Sequence, residues 1–166
     1  HHPEKNEAVL GYIDWHPDLF ITPLMRFMTS GGAVLKRFGG HQFAYDLLEG
    51  KQEADYRFFY TSNISLKRLL ALEHPFDPWF SSYGWEDIEL GYRMTKKTNL
   101  KLWYEPNAVG FHYHPMELKD FERRMRGIGR SAVHFHRRYP ELNKIPAGMK
   151  RKVFEFLSHP AVIRML

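Results

Sequence analysis

The sequence predicts an α/β fold, because short apolar runs of strand length alternate with longer segments of helical period. Strand-like runs occupy residues 8–13, 56–60, 100–104 and 108–114, and helix-like segments occupy 23–30, 66–72, 84–98 and 115–139. A length of 166 residues with 43% hydrophobic composition is enough to bury one core. An aromatic fraction of 16% argues against disorder. We therefore expect one compact unit with room for a small appendage.

The first two elements are marked by their end signals. Residues 8–13 read as a short, mostly buried strand, and the polar stretch 14–18 reads as the loop after it. Thr22 is expected to cap a short helix whose first residue is Pro23, and the glycine pair at 31–32 is expected to end that helix.

Residues 83–93 are the most informative stretch of the chain. Three carboxylates, those of Glu86, Asp87 and Glu89, fall within four positions at the start of a predicted helix that ends near 98–99. Carboxylates in a first turn are stabilised by the unpaired N–H groups of the helix, by roughly 0.3–1 kcal/mol each. A capped, solvated helix start therefore explains them without a ligand. The alternative is that Asp87 serves a site in front of the helix N-terminus.

Helical spacing divides the same stretch into two faces. Trp85, Ile88 and Tyr92 share one stripe, which we expect to be buried. Glu89 and Arg93 fall on the neighbouring face. The helix is therefore predicted to pack through its aromatic side.

A run of small polar residues joins two of the predicted elements. The aromatic strand 56–60 leads into Thr61, Ser62 and Asn63, and a helix is predicted over 66–72. In α/β folds such residues present backbone N–H groups and side-chain donors to a ligand at the carboxyl edge of the sheet. The alternative is an ordinary turn in which Ser or Asn caps the helix.

Two histidines share one face of the last predicted strand. Residues 105–107 predict a turn between the strands 100–104 and 108–114. Strict alternation along the second strand places His112 and His114 on the same face. Such a pair can bind a divalent ion, but two nitrogens make an incomplete site. Buried or solvent-bridged histidines are the alternative.

Charge is distributed unevenly along the chain. Residues 1–114 carry 12 Lys and Arg against 14 Asp and Glu, a balance of −2, whereas residues 115–166 carry 12 against 5, a balance of +7. The basic part could face anionic phospholipid, a phosphorylated substrate or nucleic acid, or it could be solvated without a partner.

The basic part contains two predicted helical segments. The first is expected to pack on the sheet through a stripe of apolar residues, which are Leu118, Phe121, Met125, Ile128, Ala132 and Phe135. Because its aromatic residues lie on that stripe instead of alternating with the bases, we predict no nucleic acid partner. The second segment, 149–166, places bases beside aromatic residues. It either packs on the sheet or contacts an anionic membrane surface.

Composition also limits the location. Cysteine is absent, so disulfides and thiolate metal sites are excluded. No apolar run approaches the ~20 residues that span a bilayer. We expect a cytoplasmic protein, with peripheral contact at the inner face of the membrane as an option.

Five short motifs along the chain together carry a family likeness. They are Asn-Ile-Ser-Leu-Lys-Arg at 63–68, Pro-Phe-Asp at 75–77 with Phe80, Tyr-Gly-Trp-Glu-Asp-Ile-Glu-Leu-Gly-Tyr-Arg at 83–93, Tyr-Glu-Pro-Asn-Ala at 104–108 and His-Tyr-His at 112–114. Their order and spacing resemble the C-terminal half of bacterial family-2 glycosyltransferases, inverting enzymes of the GT-A fold. Residues 15–26 and 42–45 also look like bacterial members. The likeness covers about residues 8–140.

The resemblance implies a division of the chain. Residues 1–114 would form the C-terminal part of the GT-A mixed sheet with its flanking helices. Residues 115–166 would form a basic amphipathic helical extension. The implied substrates are a nucleotide-sugar donor and a glycan or lipid-linked acceptor.

The resemblance also implies roles for individual residues. In the family, an acidic residue of the Glu-Asp pair is the catalytic base, which here is Asp87, and Glu86 would bind acceptor hydroxyls. A sugar hydroxyl loses its proton as it attacks the anomeric carbon, and a carboxylate within hydrogen-bond reach can accept that proton. Further implied substrate-binding residues are Thr61, Ser62 and Asn63 at the donor sugar, Trp85 as a stacking wall, and Glu89.

The resemblance also implies a bound metal ion. In the family, a histidine after the last core strand commonly helps to hold Mn²⁺ or Mg²⁺ on the donor diphosphate. His112 is the first choice for this ligand and His114 the second. The metal would act as a Lewis acid on the leaving group.

The family's N-terminal half, with its nucleotide-binding strands and metal-binding aspartate motif, is not matched here. Asp14 and Asp18 do not fit that motif. We therefore expect the 166 residues to be part of a longer enzyme and to bind nucleotide sugar weakly or not at all when alone. The first strand is expected to expose edges and faces that the other half covers.

A second hypothesis is a binding or regulatory module. In that case the acidic helix and the histidine strand are retained structure only. The basic C-terminal part then docks to a membrane or to a partner.

Overall fold

The computed structural model describes residues 4–30, 44–81 and 83–157. The strands are β1 (Glu7–Trp15), β2 (Glu53–Ala54), β3 (Ile64–Leu66) and β4 (Lys101–His112). The α-helices are α1 (Pro23–Ser30), α2 (Arg68–Glu73), α3 (Glu86–Thr98), α4 (Leu118–Arg138) and α5 (Gly148–Leu157). Short 3-10 helices lie at Tyr45–Leu48, Tyr56–Phe58, Thr61–Asn63 and Pro140–Leu142. The fold is α/β, with a mixed four-stranded sheet flanked by helices.

The strands are arranged in the order β2-β4-β1-β3. β1 runs parallel to β4 along its whole length and antiparallel to β3 at three positions. The expectation that the first strand exposes its edges is therefore wrong, because β3 and β4 flank it. Most of its residues are buried.

β4 is a single strand where two were predicted. Gly11 of β1 pairs with Glu105, and the next residue, Tyr12, pairs with Val109. Residues 106–108 are thus extra residues that bulge from the ladder, and the turn predicted at 105–107 is wrong. A bulge accommodates Pro106, which has no N–H to give to the sheet.

The aromatic run at 56–60 is also not a strand. Tyr56–Phe58 is a 3-10 helix, and the strand comes later, at Ile64–Leu66. Asp55 caps this turn by accepting a hydrogen bond from the Arg57 amide at 2.9 Å. Phe58 and Phe59 are buried in the main core even so. The aromatic pattern reported burial correctly, but the local capping decided the backbone conformation.

The short first helix begins where its cap predicted. The Thr22 hydroxyl accepts a hydrogen bond from the Met25 amide at 3.2 Å, which confirms the predicted cap. The glycine pair predicted to end the helix, and residues 42–43 of the family-like segment, lie outside the described residues. Met25 packs with Trp15 and Met116 in a second, smaller core cluster.

α3 begins and ends close to the predicted positions. It starts at Glu86 after Trp85, whose φ is 71°, and stops at Asn99, whose φ is 52°. Tyr92 is buried as predicted, but Trp85 is only half-buried. The buried face also includes Glu89, which was expected beside the buried stripe and not within it.

α4 confirms the predicted long helix, with its buried face rotated relative to the prediction. Its buried residues are Gly127, Ser131 and Phe135, whereas Leu118 is 64% exposed. Small residues lie on this face because the chain around Tyr83 packs closely against it. The Tyr83 carbonyl accepts a hydrogen bond from the Ser131 hydroxyl at 3.4 Å.

α5 is the most exposed helix of the described chain. Met149, Val153 and Phe156 follow one another at spacings of four and three, and their exposures are 76%, 49% and 66%. Within the described residues, no helix combines the length and apolar character needed to cross a membrane.

Candidate functional site

The site begins at a tight turn that leads into α3. Gly84 has a φ of 98°, which L side chains rarely adopt, and a Cβ placed on it would lie 2.7 Å from a side-chain carbon of Ile128. The turn therefore requires glycine both for its backbone and for its approach to α4. It places Glu86 and Asp87 as the first two residues of α3, in front of which the helix presents unpaired N–H groups.

Asp87 is held by one residue of a different segment. Its Oδ1 accepts a hydrogen bond from the Thr61 hydroxyl at 2.7 Å, and its Oδ2 accepts one from the Thr61 amide at 3.2 Å. Burial raises the pKa of Asp87, and the two Thr61 hydrogen bonds lower it by less. The carboxylate is thus fixed in position and more basic than an ordinary aspartate.

Glu86 is less well satisfied than its neighbour. Its Oε2 is buried and has no hydrogen-bond partner among the described residues. Burial raises the pKa of Glu86, the charge of Asp87 raises it further, and backbone N–H groups of Glu86 and Gly84 lower it. A buried acceptor without a donor costs free energy, so it is a candidate for binding a donor from a ligand.

Arg124 of α4 is a residue that the sequence did not single out. Its guanidinium lies 4.4 Å from the centre of the Tyr83 ring. Burial raises the pKa of Tyr83, and the charge of Arg124 opposes that rise. Arg124 also lowers the pKa of His112, so this one cation acts on both the α3 entry and the end of β4. Because it was one of many bases on an amphipathic helix, no sequence pattern distinguished it.

The two histidines lie together at the end of β4. The ring centres of His112 and His114 are 5.7 Å apart. Burial lowers the pKa of His112, with smaller contributions from His114 and Arg124. The imidazole is therefore neutral near pH 7, which is the form that binds metals. Within the described residues, no group of three or more His, Cys, Asp and Glu side chains could hold a metal ion.

The loop after β1 meets the same edge of the sheet. The His16 amide donates a hydrogen bond to the His112 carbonyl at 3.2 Å. The carboxyl ends of β1 and β4 are adjacent because these strands are parallel. Asp14, which the sequence analysis set aside, is exposed near this edge.

The three polar residues before β3 divide into different roles. Thr61 holds Asp87, and Ser62 is exposed. The Asn63 amide donates to the carbonyls of Tyr12 at 2.9 Å and Ala108 at 2.8 Å. Asn63 therefore bridges the sheet at the β4 bulge, and its NH₂ group is engaged in the fold.

Trp85 and Glu89 connect the start of α3 to the C-terminal end of α4. The Trp85 ring lies 4.8 Å from that of Phe135 on α4. Glu89 is fully buried, and Arg93 and the Tyr139 hydroxyl bind its carboxylate at distances of 2.6–3.0 Å. Both residues thus join α3 to the end of α4.

Comparison of the chain with protein-family models, curated proteins and solved structures gives no match. Its function therefore has to be inferred from its own residues.

Proposed function

We propose that the chain is the acceptor-side, catalytic part of an inverting glycosyltransferase of the GT-A type. It would transfer a sugar from a nucleotide-sugar donor to a hydroxyl of a glycan or lipid-linked acceptor. The observation that carries the proposal is the state of Asp87, a desolvated carboxylate fixed by Thr61 at the start of α3. The resemblance of the surrounding motifs supports this reaction class.

The proposed reaction is a single displacement. The acceptor oxygen attacks the anomeric carbon while the bond from that carbon to the donor phosphate breaks, and the nucleoside diphosphate leaves. Asp87 accepts the acceptor proton as the new bond forms. A raised pKa favours this role, because a stronger base takes more of the proton in the transition state. Attack from the side opposite the leaving group inverts the anomeric centre.

The neighbouring side chains would position the acceptor. Glu86 would accept hydrogen bonds from other acceptor hydroxyls through its carboxylate, whose side chain is half-buried. Thr61 orients the base, and Trp85 would present its half-buried ring to a sugar. Glu89 is buried among protein partners, so its contribution is to hold α3.

The proposal includes metal binding, although the described residues do not form a complete metal site. His112 and His114 would contribute two nitrogens, and a Mn²⁺ or Mg²⁺ ion needs more ligands than this pair. The described residues provide no third protein ligand to complete the group. No step of the proposed reaction is therefore assigned to a metal.

The test is replacement of Asp87 by Asn in the longest reading frame that contains this chain. We expect sugar transfer to fall on the order of a hundredfold or more, as for loss of a general base. Asp120→Asn makes the same chemical change at an exposed ion pair and should retain activity. Near-normal transfer by the Asp87 variant would remove it from the role.

A second candidate function, docking to a membrane surface, is favoured by the exposure of α5. Its apolar residues Met149, Val153 and Phe156 adjoin the bases Arg151 and Lys152. A bilayer containing anionic lipid complements both features.

Co-sedimentation with vesicles tests this second function. We expect the chain to bind vesicles that contain roughly 30% phosphatidylserine, and the double variant Val153→Ser, Phe156→Ser to lose this binding. Leu118→Ser removes an equally exposed apolar residue from α4 and serves as the control. No sedimentation with either kind of vesicle would reject membrane docking. Equal sedimentation with neutral and anionic vesicles would reject the contribution of anionic lipid.

A further inference from the structure

A cavity lies away from Asp87, between β1, β4 and the 3-10 helix Tyr45–Leu48. Its volume is about 660 Å³, within the range of small-molecule sites. The residues that matter for its chemistry are Tyr12, Tyr45, Tyr104, Asp14, Asp46 and Glu49. None of the lining residues belongs to the 61–63 or 83–87 segments. We call this cavity the tyrosine cleft.

Three tyrosine rings form one wall of the tyrosine cleft. The rings of Tyr45 and Tyr104 are stacked with centres 5.8 Å apart, and Tyr12 meets Tyr45 edge-on at 5.1 Å. Burial raises the pKa of all three hydroxyls, so they stay protonated at neutral pH. Tyr45 is buried, so the half-buried Tyr12 and Tyr104 are the residues that present O–H donors to the cleft. Tyr104 covers one face of the Tyr45 ring, so the three rings form a packed surface and do not surround a ligand on several sides.

Among the described residues that line the tyrosine cleft, the charged groups are all acidic. Asp14, Asp46 and Glu49 are exposed at its rim. Among the described residues that line it, none is Lys or Arg. Phosphates and nucleotides are therefore disfavoured, since no described lining residue would neutralise their charge. A purely apolar ligand would contact the tyrosine rings and make no use of the rim carboxylates.

The register of the sheet separates the tyrosine cleft from the Asn63 bridge. Tyr12 pairs with Val109, so these two residues lie on one face of the sheet. Gly11 and Gly110, above which the Asn63 side chain lies, belong to the other face. The cleft is thus on the opposite face of the sheet from the Asn63 side chain.

We propose that the tyrosine cleft binds a saccharide unit. The C–H faces of a sugar ring pack on tyrosine rings, and its hydroxyls donate to carboxylates and accept from tyrosine O–H groups. A sugar offers both kinds of contact and carries no charge that the acidic rim would repel. Binding here does not use Asp87, so it can be measured without sugar transfer.

The experiment is an NMR titration of the 166-residue chain with three oligosaccharide probes: maltotriose, cellotriose and the trimer of N-acetylglucosamine. At least one probe is expected to shift the signals of Tyr12, Tyr104 and Asp46 with a Kd of about 1 mM. Choline and inorganic phosphate are the comparison probes. If no saccharide shifts these signals, or if only choline or phosphate does, the proposal is wrong.

Variants locate the binding and separate it from the transfer reaction. Asp46→Asn alters an exposed carboxylate and should weaken saccharide binding about fivefold, as expected for a hydrogen bond to a charged group. Tyr104→Phe should weaken it similarly and keeps the stacked ring. Asp120→Asn is the matched control and should bind saccharide normally. Unchanged binding in both cleft variants would overturn the assignment.

Discussion

Two carboxylates on one turn of α3 have opposite surroundings. Asp87 is half-buried, and its contacts are the hydroxyl and amide of Thr61. Glu89, two residues later, is fully buried, and its oxygens are bound by Arg93 and Tyr139. Arg93 in turn donates to the Pro75 carbonyl at 2.7 Å. The same cluster of acids therefore contains one group that stabilises the fold and one that is desolvated without a cation.

This difference gives a criterion for separating structural acids from candidate catalytic ones. A buried carboxylate whose oxygens are hydrogen-bonded to a cation has a structural role, because its charge is already neutralised within the fold. Within the described part of the chain, Asp87 and Glu86 have no such partner, and burial raises the pKa of both. Perturbed carboxyls of this kind occur preferentially at functional sites.

The largest expected effect is that of Glu89→Ala on stability. Removing one partner of a buried pair leaves the Arg93 charge and the Tyr139 hydroxyl unsatisfied, which costs about 3–5 kcal/mol. Urea unfolding followed by circular dichroism measures this loss. Asp120→Ala breaks an exposed ion pair and should cost less than about 1 kcal/mol. If the two variants were equally stable, Glu89 would not be a structural acid.

The sequence could predict where α3 begins but not which of its acids is structural. The glycine before the helix and the acids in its first turn are local signals, and they placed the start of α3 within two residues of its position. The capped, solvated start is wrong for Glu89, which is fully buried. Arg93 is a local partner of Glu89, but its other partner, Tyr139, is 50 residues away, so no local pattern identifies it. Helical spacing placed Glu89 beside the buried stripe because the position of α4 was not known.

Strand prediction failed where side chains and backbone gave different signals. At 56–60 the aromatic residues are buried, yet the Asp55 cap forms a 3-10 helix. At 106–108 the proline signal marks a bulge inside one strand instead of a turn between two. In both places the pattern indicates burial or interruption, but a local cap at 56–60 and strand pairing at 106–108 determine the backbone conformation.

A smaller effect is expected from Thr61→Val on the proposed reaction. The variant removes the hydroxyl that lowers the pKa of Asp87, so that pKa should rise further. The acidic limb of the kcat/KM profile should move to higher pH, and activity at neutral pH should fall on the order of tenfold. Thr98→Val removes a hydroxyl at the far end of α3 and is the control. An unshifted limb would show that Asp87 does not titrate in that profile.

The smallest effect is that of Asp87→Asn on stability, and its sign distinguishes Asp87 from Glu89. Because burial raises the folded-state pKa of Asp87 above its ordinary value of 3.8, its ionised form is disfavoured in the folded protein. Wild-type stability relative to the variant therefore increases as the pH falls through that raised pKa towards 3.8. At pH 7 we expect the Asn variant to be more stable than the wild type by less than about 1 kcal/mol, since its amide oxygen can still accept from Thr61. Urea unfolding at pH 7 and pH 4 measures the difference, with Asp120→Asn as the control. A loss of stability at pH 7 would mean that the Thr61 hydrogen bonds outweigh desolvation, and Asp87 would then resemble Glu89 as a structural acid.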